Sequence, residues 1–223
     1  MRMRRKKNLS SRLDKCELLY LSKSTDIYRK KESERYNIVD LKKLFNNENP
    51  LEIEIGCGRG QFIVEKAKRN PNVNYIGVEI IDNVIVSAVE KAEAERLKNL
   101  YFFNCGAEIL HYILPENSVS KIYLNFSCPY PKKQYENHRL TYSYFLNIYK
   151  KLMFNEAEII MKTDSDSLFS YSIDSLSNNG FTLYDVFENI YDNVTSDNIQ
   201  TEYEEKFLKE GKKIHGLKAK LQK

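Results

Sequence analysis

A chain of 223 residues, of which 42% are hydrophobic and 30% charged, has the composition of a soluble globular protein with one sizeable core. No apolar run approaches the roughly 20 residues that a membrane-spanning helix needs, so we expect no membrane anchor. The basic residues 1–7 are not followed by an apolar segment, so we expect no secretory signal. The four cysteines and three histidines lack zinc-ligand spacing, so we expect no metal, and reduced thiols in a cytoplasmic protein.

The net charge of +4 is unevenly distributed along the chain. Residues 1–35 contain twelve Lys/Arg and five Asp/Glu, whereas the remaining residues contain 23 and 26. We therefore predict a basic N-terminal arm over 1–35 and a single domain over 36–223. Lysines and arginines that neutralise phosphates release condensed counterions, so the arm favours a polyanionic partner. A solvated, frayed terminus is the alternative interpretation of the same charges.

Apolar patterning predicts strands that alternate with helices from residue 50 onward. Predicted strands lie at 50–56, 73–80, 100–105, 120–126 and 156–164, with two closing strands at 181–190 and 214–223. Predicted helices lie at 60–70, 82–99, 107–114, 139–152 and 167–180. This alternation indicates right-handed crossovers and a mostly parallel sheet.

A glycine turn follows the first predicted strand. Residues 54–62 read EIGCGRGQF, which gives the spacing G-x-G-x-G at Gly56, Gly58 and Gly60. Glycine lets the backbone turn sharply and approach a ligand closely. Ligands of open α/β sheets bind beyond the carboxyl ends of the strands, where the strand order reverses, so this turn is a candidate ligand site. A dinucleotide fingerprint has its third glycine one residue later, where this chain has Gln61.

An acidic residue ends the second predicted strand. Glu79 follows the turn at about the 20-residue distance from which a carboxylate can accept hydrogen bonds from both hydroxyls of a ribose. An ordinary strand-to-helix turn followed by an exposed glutamate is the alternative, and the order of turn, helix, strand and acid favours nucleoside binding. The shortened glycine pattern resembles the S-adenosylmethionine-binding methyltransferases of the Rossmann-like class. That resemblance implies that Glu54 and Gly56 lie near the methionine end of the cofactor and Glu79 on its ribose.

The fourth predicted strand runs into the loop YLNFSCPYPKKQYENHR, residues 123–139. We expect this strand to lie beside the first, so that its loop faces the glycine turn. Two prolines fix φ and reduce the entropy lost on ordering the loop. Tyr130 can stack on a base, and Lys132 and Lys133 can reach phosphates.

Residues 123–146 resemble the signature segment of the bacterial tRNA (guanine-N7-)-methyltransferases, which commonly read N-F-S-D-P-W-P-K-K. The segments MRMR at 1–4, KTD at 162–164 and TEYEEKF at 201–207 also match, in the family's order and over nearly the whole chain. The resemblance implies an α/β, Rossmann-like methyltransferase fold: a mostly parallel twisted sheet with an antiparallel C-terminal strand and helices on both faces. It also implies transfer of a methyl group from S-adenosylmethionine to N7 of a guanosine in the tRNA variable loop.

The resemblance further implies a set of site residues. Its cofactor positions correspond to Glu54, Gly56, Gly58, Gly60, Glu79, Gly106 and Cys128. Its substrate positions correspond to Lys132, Asp164, Thr201, Glu202, Tyr203 and Glu204. Cys128 and Asp164 stand at or near the catalytic positions, but Cys128 and Gly106 each replace a usual aspartate.

Chemistry reduces the importance of the missing aspartate at 128. Guanine N7 carries an in-plane lone pair and no proton, so its methylation requires no general base. A carboxylate stabilises the cationic product electrostatically, and Asp164 can provide one. Cys128 would do so only as a thiolate, a minority species at a reference thiol pKa near 8.5, so we favour a small loop residue there. We interpret His138, Arg139 and His215 as surface or phosphate contacts.

Two other functions remain as alternatives. An amino-group methyltransferase has Asp/Asn-Pro-Pro-Tyr/Phe in this loop, and SCPYP lacks both the leading Asp/Asn and the second adjacent proline. A catalytically weak or silent S-adenosylmethionine- and RNA-binding protein of the same fold is the second, because two aspartates are replaced. The sequence does not predict an oligomeric state.

Overall fold

One sheet of eight strands organises the computed structural model, which describes residues 5–21, 37–193 and 198–223. The strands of this described chain are β1 (Leu19–Leu21), β2 (Leu51–Ile55), β3 (Asn74–Val78), β4 (Leu100–Phe103), β5 (Val119–Asn125), β6 (Met153–Thr163), β7 (Phe181–Phe187) and β8 (His215–Leu221). Their order is β1-β4-β3-β2-β5-β6-β8-β7. Strand β8 is antiparallel to β6 and β7, and the other neighbouring pairs are parallel. The prediction of a mostly parallel sheet with an antiparallel C-terminal strand is confirmed.

Helices cover both faces of the sheet. In the described residues they are α1 (Leu9–Leu13), α2 (Leu41–Phe45), α3 (Gln61–Arg69), α4 (Asp82–Ala94), α5 (Leu110–Ile113), α6 (Ser143–Leu152), α7 (Asp166–Ser177) and α8 (Glu202–Lys209), with short 3-10 helices at Ala107–Ile109, Lys133–His138 and Ile190–Asn193. Tyr75 of β3 packs with buried side chains of α3 and α4, whereas its neighbour Ile76 packs with those of α5, α6 and α7. Successive strand residues point to opposite faces, so these clusters are two separate layers.

Two helix ends differ from the predicted boundaries by four residues or more. Helix α4 ends at Ala94 instead of 99, because Arg96 adopts a left-handed φ of 54°. Helix α6 begins at Ser143 instead of 139. The preceding residues form the 3-10 helix Lys133–His138, and Arg139 has the extended values φ −66° and ψ 133°. The loop that opens toward the site is therefore longer and more structured than its sequence pattern indicates.

Strand β1 and the helices α1, α2 and α8 are not predicted by the apolar patterning. Strand β1 pairs with β4 at the sheet edge, and α1 packs on α4 with Arg12 Nε donating to Glu90 Oε1 at 2.7 Å. Helix α8 begins after Thr201, whose hydroxyl accepts the backbone N–H of Glu204 at 3.0 Å in a capping box. Strand β1 and helices α1 and α2 have five residues or fewer, too few for a periodic pattern, whereas the T-x-x-E capping box was a readable sequence signal for the start of α8.

The predicted arm is only partly described. Residues 1–4, which carry the MRMR match, and residues 22–36 lie outside the described part of the chain. Residues 5–21 contact the remaining protein through α1 and β1. The division into an arm over 1–35 and one domain over 36–223 stays a prediction.

The strand order reverses at β2, which lies between β3 and β5. Ile53 and Glu54 of β2 pair in register with Ile122 and Tyr123 of β5. The first and fourth predicted strands are therefore neighbours, as expected. The carboxyl ends of β2, β3, β5 and β6 meet at one edge of the sheet, which is where an open α/β sheet binds its ligand.

Candidate active site

The glycine turn between β2 and α3 is tied to the end of β3. The backbone N–H groups of Gly56 and Cys57 both donate to Val78 O, at 2.8 and 3.0 Å. Gly56 and Gly58 have φ of 79° and 58°, and a Cβ on either would meet no atom within 4 Å. These two glycines therefore expose bare backbone to open space at the sheet edge, the geometry of a ligand cradle.

Gly60 has a different role from the other two glycines. A Cβ on Gly60 would lie 2.7 Å from the Cβ of Ala88 on α4, and the residue has φ 76°. Glycine is therefore required here so that the start of α3 can pack against α4. We assign Gly60 to packing, and its predicted cofactor contact stays a prediction that the backbone geometry does not favour.

Glu79 is buried where β3 ends, and its carboxylate is bound to the turn. Its Oε2 accepts the N–H of Gly58 at 3.2 Å, and its Oε1 accepts the N–H of Ile81 at 2.8 Å. The carboxylate thus lies at the predicted ligand cradle, as expected for a ribose contact. Ile80 and Ile81, which follow it, are large apolar residues exposed at 47% and 45%. They form an apolar surface beside the cradle that the sequence analysis missed.

Glu54 has an unsatisfied buried oxygen. Asn125 at the end of β5 donates to Glu54 Oε1 at 2.9 Å, and Glu54 Oε2 has no hydrogen-bond partner within the described residues. Burial raises the pKa of Glu54 to about 8, while the Asn125 hydrogen bond and the charge of Lys162 act in the opposite direction. A cationic or hydrogen-bond-donating ligand group would satisfy this oxygen, so Glu54 fits a cofactor-binding role.

We expect the wild-type free energy of unfolding to fall relative to that of Glu54→Gln as the pH rises from about 5 to 8. The pKa of Glu54 is about 8 in the folded state and near 4.5 without the shift, so the folded protein holds a proton that the unfolded chain releases. The stabilisation is complete below the unfolded pKa and is lost toward the folded pKa, by about 2 kcal/mol or more. Urea unfolding of both proteins across this range measures the difference; parallel pH profiles would contradict the burial of a protonated Glu54.

The loop after β5 contains two bulky residues in strained backbone conformations. Phe126 has φ 51° and Tyr130 has φ 41°, both in the left-handed region. Such conformations cost about 1–3 kcal/mol each and cluster at functional sites. Cys128 is exposed between them, and Lys132 is exposed beyond them. Burial and the nearby Cys128 raise the pKa of Tyr130. The loop therefore presents Cys128 and Lys132 to solvent from a backbone that is held in place.

Arg139 holds this loop, so its interpretation as a surface or phosphate contact is wrong. The residue is 7% exposed, its Nε donates to Pro129 O at 3.1 Å, and its Nη2 donates to Tyr130 O at 3.0 Å. Its guanidinium also lies 4.3 Å above the ring of Tyr171 on α7. A planar fork with two donors suits this arrangement, which a lysine cannot reproduce.

His215 is likewise buried, which corrects its interpretation as a surface contact. Its ring stacks on Phe169 at 4.5 Å, and its Nε2 lies 2.7 Å from Asp166 Oδ1. His138 remains exposed, with its ring 5.4 Å from that of Tyr130. Burial therefore separates the exposed His138 from the buried Arg139 and His215.

Arg139→Lys is expected to loosen the loop without unfolding the protein. Lysine keeps the positive charge but cannot bind both carbonyl oxygens, so Cys128 should react with a thiol reagent about fivefold faster. Cys57 and Cys105 are buried and report global opening in the same experiment.

Arg69→Lys is the matched control, because Arg69 forms an exposed ion pair with Glu65. Cys128→Ser in each background identifies the reactive thiol. Equal labelling of Cys128 in wild type and Arg139→Lys would show that Arg139 does not restrain the loop.

The predicted substrate segment lies against the glycine turn. Arg59 Nη1 in the turn is 3.7 Å from Glu202 Oε2 at the start of α8, and Gln61 Nε2 donates to Gln200 O at 3.2 Å. Asp164 follows β6, with one carboxylate oxygen 2.7 Å from Lys212 Nζ. The structure therefore brings the turn, the end of β6 and the start of α8 to one edge of the sheet.

Glu204 is fully buried and bonded within the protein. Its Oε2 is 3.0 Å from Lys162 Nζ, and its Oε1 accepts Tyr191 Oη at 2.6 Å and Asn198 Nδ2 at 2.7 Å. Lys162 also donates to Ile199 O at 3.1 Å. Burial lowers the pKa of Lys162, and Glu204 opposes that shift. We therefore assign Glu204 to positioning α8. Thr201 is also buried, with its hydroxyl in the helix cap, and the substrate contacts of Glu202 and Tyr203 stay predictions. Lys162, Tyr191 and Asn198 were missed as site residues.

Three aromatic rings join the loop to α8. Tyr203, which is 55% exposed, stacks on Phe126 with ring centroids 6.4 Å apart and on Phe207 at 6.2 Å. Lys212 Nζ lies 4.2 Å above the ring of Phe207. An exposed aromatic ring beside cations is a surface on which a nucleic-acid base can stack.

Two further findings concern membranes and metals. Within residues 5–21, 37–193 and 198–223, every helix is too short or too polar to cross a bilayer. The same residues contain no cluster of three or more His, Cys, Asp and Glu side chains arranged to hold a metal ion.

Comparison with known proteins identifies the family. A family model described as "Putative methyltransferase" matches residues 48–217. A tRNA (guanine-N(7)-)-methyltransferase of Alkaliphilus oremlandii (strain OhILAs) is 44% identical over 178 residues, which cover 80% of this chain and 84% of that protein. The chain belongs to the tRNA (guanine-N7-)-methyltransferase family. Another member, from Bacillus subtilis (strain 168), is 44% identical over 172 residues, covering 77% of this chain and 81% of its own.

Solved structures agree on the fold beyond this family. An antibiotic-related methyltransferase has a TM-score of 0.62 at 19% identity, covering 83% of this chain and 97% of its own. The 16S rRNA methyltransferase KamB has a TM-score of 0.62 at 12% identity, covering 84% and 95%. These similarities confirm the predicted Rossmann-like methyltransferase fold.

Proposed function

We propose that the protein transfers a methyl group from S-adenosylmethionine to N7 of a guanosine in the variable loop of tRNA. Family membership supports the reaction, because the relatives are named for it. The observation in this chain that supports the reaction is that the predicted cofactor and substrate residues lie at the same edge of the sheet. There, Glu54 beside the glycine turn bonds Asn125 before the loop, and Arg59 of the turn meets Glu202 of the substrate segment.

The residues at the glycine turn and at the ends of β2 and β3 fit the cofactor. S-adenosylmethionine, when bound, supplies a methyl group on a cationic sulfonium. Glu54 has an unpartnered buried oxygen for the cationic methionine end, and Glu79 lies at the turn to accept the ribose hydroxyls. Gly56 and Gly58 leave open space where side chains would otherwise stand. The carboxylate of Glu79, and that of Glu54 once its proton is released, also favour a cationic ligand in a partly desolvated cleft.

The residues of the loop after β5, the end of β6 and the start of α8 fit a guanosine in RNA. Asp164 is half-buried and can accept hydrogen bonds from guanine N1–H and the exocyclic amine. Tyr203 exposes an aromatic face for base stacking, and Lys132 is exposed where it can reach phosphate. Because N7 has no proton to lose, the chain's task is to place the base in line and to stabilise its developing positive charge. We assign the stabilisation of this positive charge to Asp164. Cys128 acts only as a small residue that fits the conformation of the loop.

The alternative of a catalytically silent binding protein is not favoured. The matched relatives are named as enzymes, and the chain covers more than four fifths of each of the two described above. An amino-group methyltransferase is not favoured either, because SCPYP matches the loop of that class poorly. We further propose that the protein works in the cytoplasm, which its four free cysteines, all within the described residues, support.

The test is to incubate the purified protein with methyl-labelled S-adenosylmethionine and an unmodified tRNA transcript, then to digest the RNA and separate its nucleosides. We expect the label in N7-methylguanosine. Label in another nucleoside, or in protein alone, would overturn the assignment. Cofactor binding measured by calorimetry, with no methylated nucleoside formed, would instead support the silent binding protein.

A further inference from the structure

Lys212 lies between α8 and β8, and its ammonium is bound to the carboxylate of Asp164. Lys212 Nζ is 2.7 Å from Asp164 Oδ2 and 3.8 Å from Glu210 Oε2. The hydrogen bond to Asp164 raises the pKa of Lys212, so the ammonium keeps its charge at neutral pH. An ionised carboxylate has about four lone-pair sites, so Asp164 can accept further hydrogen bonds while Lys212 uses one of them. The end of β6 therefore presents a donor and an acceptor side by side.

This donor–acceptor pair stands beside the aromatic rings that join the loop to α8. Lys212 Nζ lies 4.2 Å above the ring of Phe207, whose centroid is 5.8 Å from that of Phe126 and 6.2 Å from that of Tyr203. Tyr203 is the most exposed of the three rings. A base that stacks on Tyr203 can therefore turn its edge toward the two charges.

Guanine is the nucleobase whose edge matches a carboxylate next to an ammonium. Its N1–H and exocyclic amine are adjacent donors, which the two oxygens of one carboxylate can accept, and its O6 is an acceptor beside N1. Adenine carries an amine in place of O6 and has no N1–H, so both charges would face the wrong partner in the same pose. Hypoxanthine has O6 and N1–H but lacks the second donor.

We propose that Lys212 selects guanosine by donating a hydrogen bond to O6, while Asp164 accepts from N1–H and the exocyclic amine. The inference rests on the proposed function and deepens it, because it names the residue that reads the methylated base. Asp164 balances the charge of Lys212, so the pair adds no net positive charge beside N7 as the methyl group is transferred. Lys212 is thus a specificity-determining residue of the same site.

The experiment compares two tRNA transcripts, with guanosine or 6-thioguanosine at the variable-loop position that wild type methylates. Sulfur is a weak hydrogen-bond acceptor, whereas N7, N1–H and the amine are the same in both bases. Wild type should have a kcat/KM for N7 methylation about tenfold or more higher on guanosine. In Lys212→Met, this preference should fall about fivefold or more, because only guanosine loses a strong bond to the ammonium. Comparing the ratio between proteins cancels the different intrinsic reactivities of the two bases.

Two further variants separate this role from a general effect of charge or folding. Lys212→Arg keeps a cationic donor and should keep most of the preference. Lys213→Met removes the neighbouring exposed lysine and should leave the ratio unchanged, since a lost phosphate contact affects both transcripts equally. The Lys212 and Asp164 side chains are 44% and 19% exposed, so Lys212→Met should stay folded, which its melting temperature checks.

The outcomes are distinguishable from a failure of the proposed function. An unchanged preference in Lys212→Met would overturn the inference and leave the reaction standing. A kcat/KM of Lys212→Met on guanosine above that of wild type would also overturn it, because Lys212 would then mask Asp164 from the base. If wild type methylated neither transcript at N7, the proposed function would fail together with the inference.

Discussion

Lys162→Met is expected to lower the free energy of unfolding by about 3–5 kcal/mol, the range for breaking one side of a buried ion pair. The substitution keeps an unbranched side chain of similar length but leaves the Glu204 carboxylate, which is 0% exposed, without its cation. The start of α8 should then detach from the glycine turn, so kcat/KM for tRNA should fall more than about 100-fold. Urea unfolding and steady-state methylation measure the two effects.

The double variant Lys162→Met/Glu204→Gln tests the cause of that loss. Removing both charges should recover a large part of the stability, because no unpaired buried carboxylate remains. Lys206→Met is the surface control, since Lys206 and Glu210 are 3.9 Å apart and exposed, and it should change stability by no more than about 0.5 kcal/mol. A Lys162→Met protein as stable as the Lys206→Met control would refute the buried ion pair.

Cys128→Asp is expected to raise kcat about tenfold while the Kd for tRNA stays within about twofold. A carboxylate at this exposed loop position would face the cationic product of N7 methylation and stabilise the transition state leading to it. The gain belongs to kcat because the guanine is neutral in the ground state. Steady-state methylation at saturating tRNA measures kcat, and a binding titration measures Kd.

Two variants isolate the charge in this experiment. Cys128→Asn has nearly the shape of aspartate without its charge and should give no gain, and Cys128→Ser removes only the sulfur. Asp164→Asn in the wild-type background should lower kcat about tenfold or more. In wild type, Asp164 provides the stabilising carboxylate that a cysteine at 128 cannot provide. A Cys128→Asp rate at or below that of Cys128→Asn would show that this lineage stabilises the charge elsewhere.

The parts of the site that are local in sequence could be predicted. The glycine turn, the helix after it and Glu79 lie within one strand-helix-strand unit, so patterning and spacing locate them. The rule that ligands bind beyond the strand ends of open sheets predicts that the loop after residue 126 faces the glycine turn. The pairing of β2 with β5 confirms that the two strands before these segments are neighbours. Cys128 and Asp164 consequently share one edge of the sheet with Gly56.

The parts that depend on long-range packing could not be predicted. Lys162 and Glu204 are 42 residues apart, and no pattern in either segment reveals that the two charges are buried together. Arg139 binds two carbonyl oxygens nine and ten residues earlier, and its stacking on Tyr171 depends on where α7 packs. Burial decides the role of each of these charges, and burial is a property of the assembled fold.

The central claim is that the guanosine N7 held at this edge attacks the methyl group directly. The most direct test uses two tRNA transcripts that differ in one atom group, with guanosine or 7-deazaguanosine at the variable-loop position that wild type methylates. The deaza base keeps its Watson–Crick edge but has a C–H in place of N7. We expect labelled methyl transfer to the first transcript and none to the second, with similar binding of both. Equal labelling of the two transcripts would contradict the account.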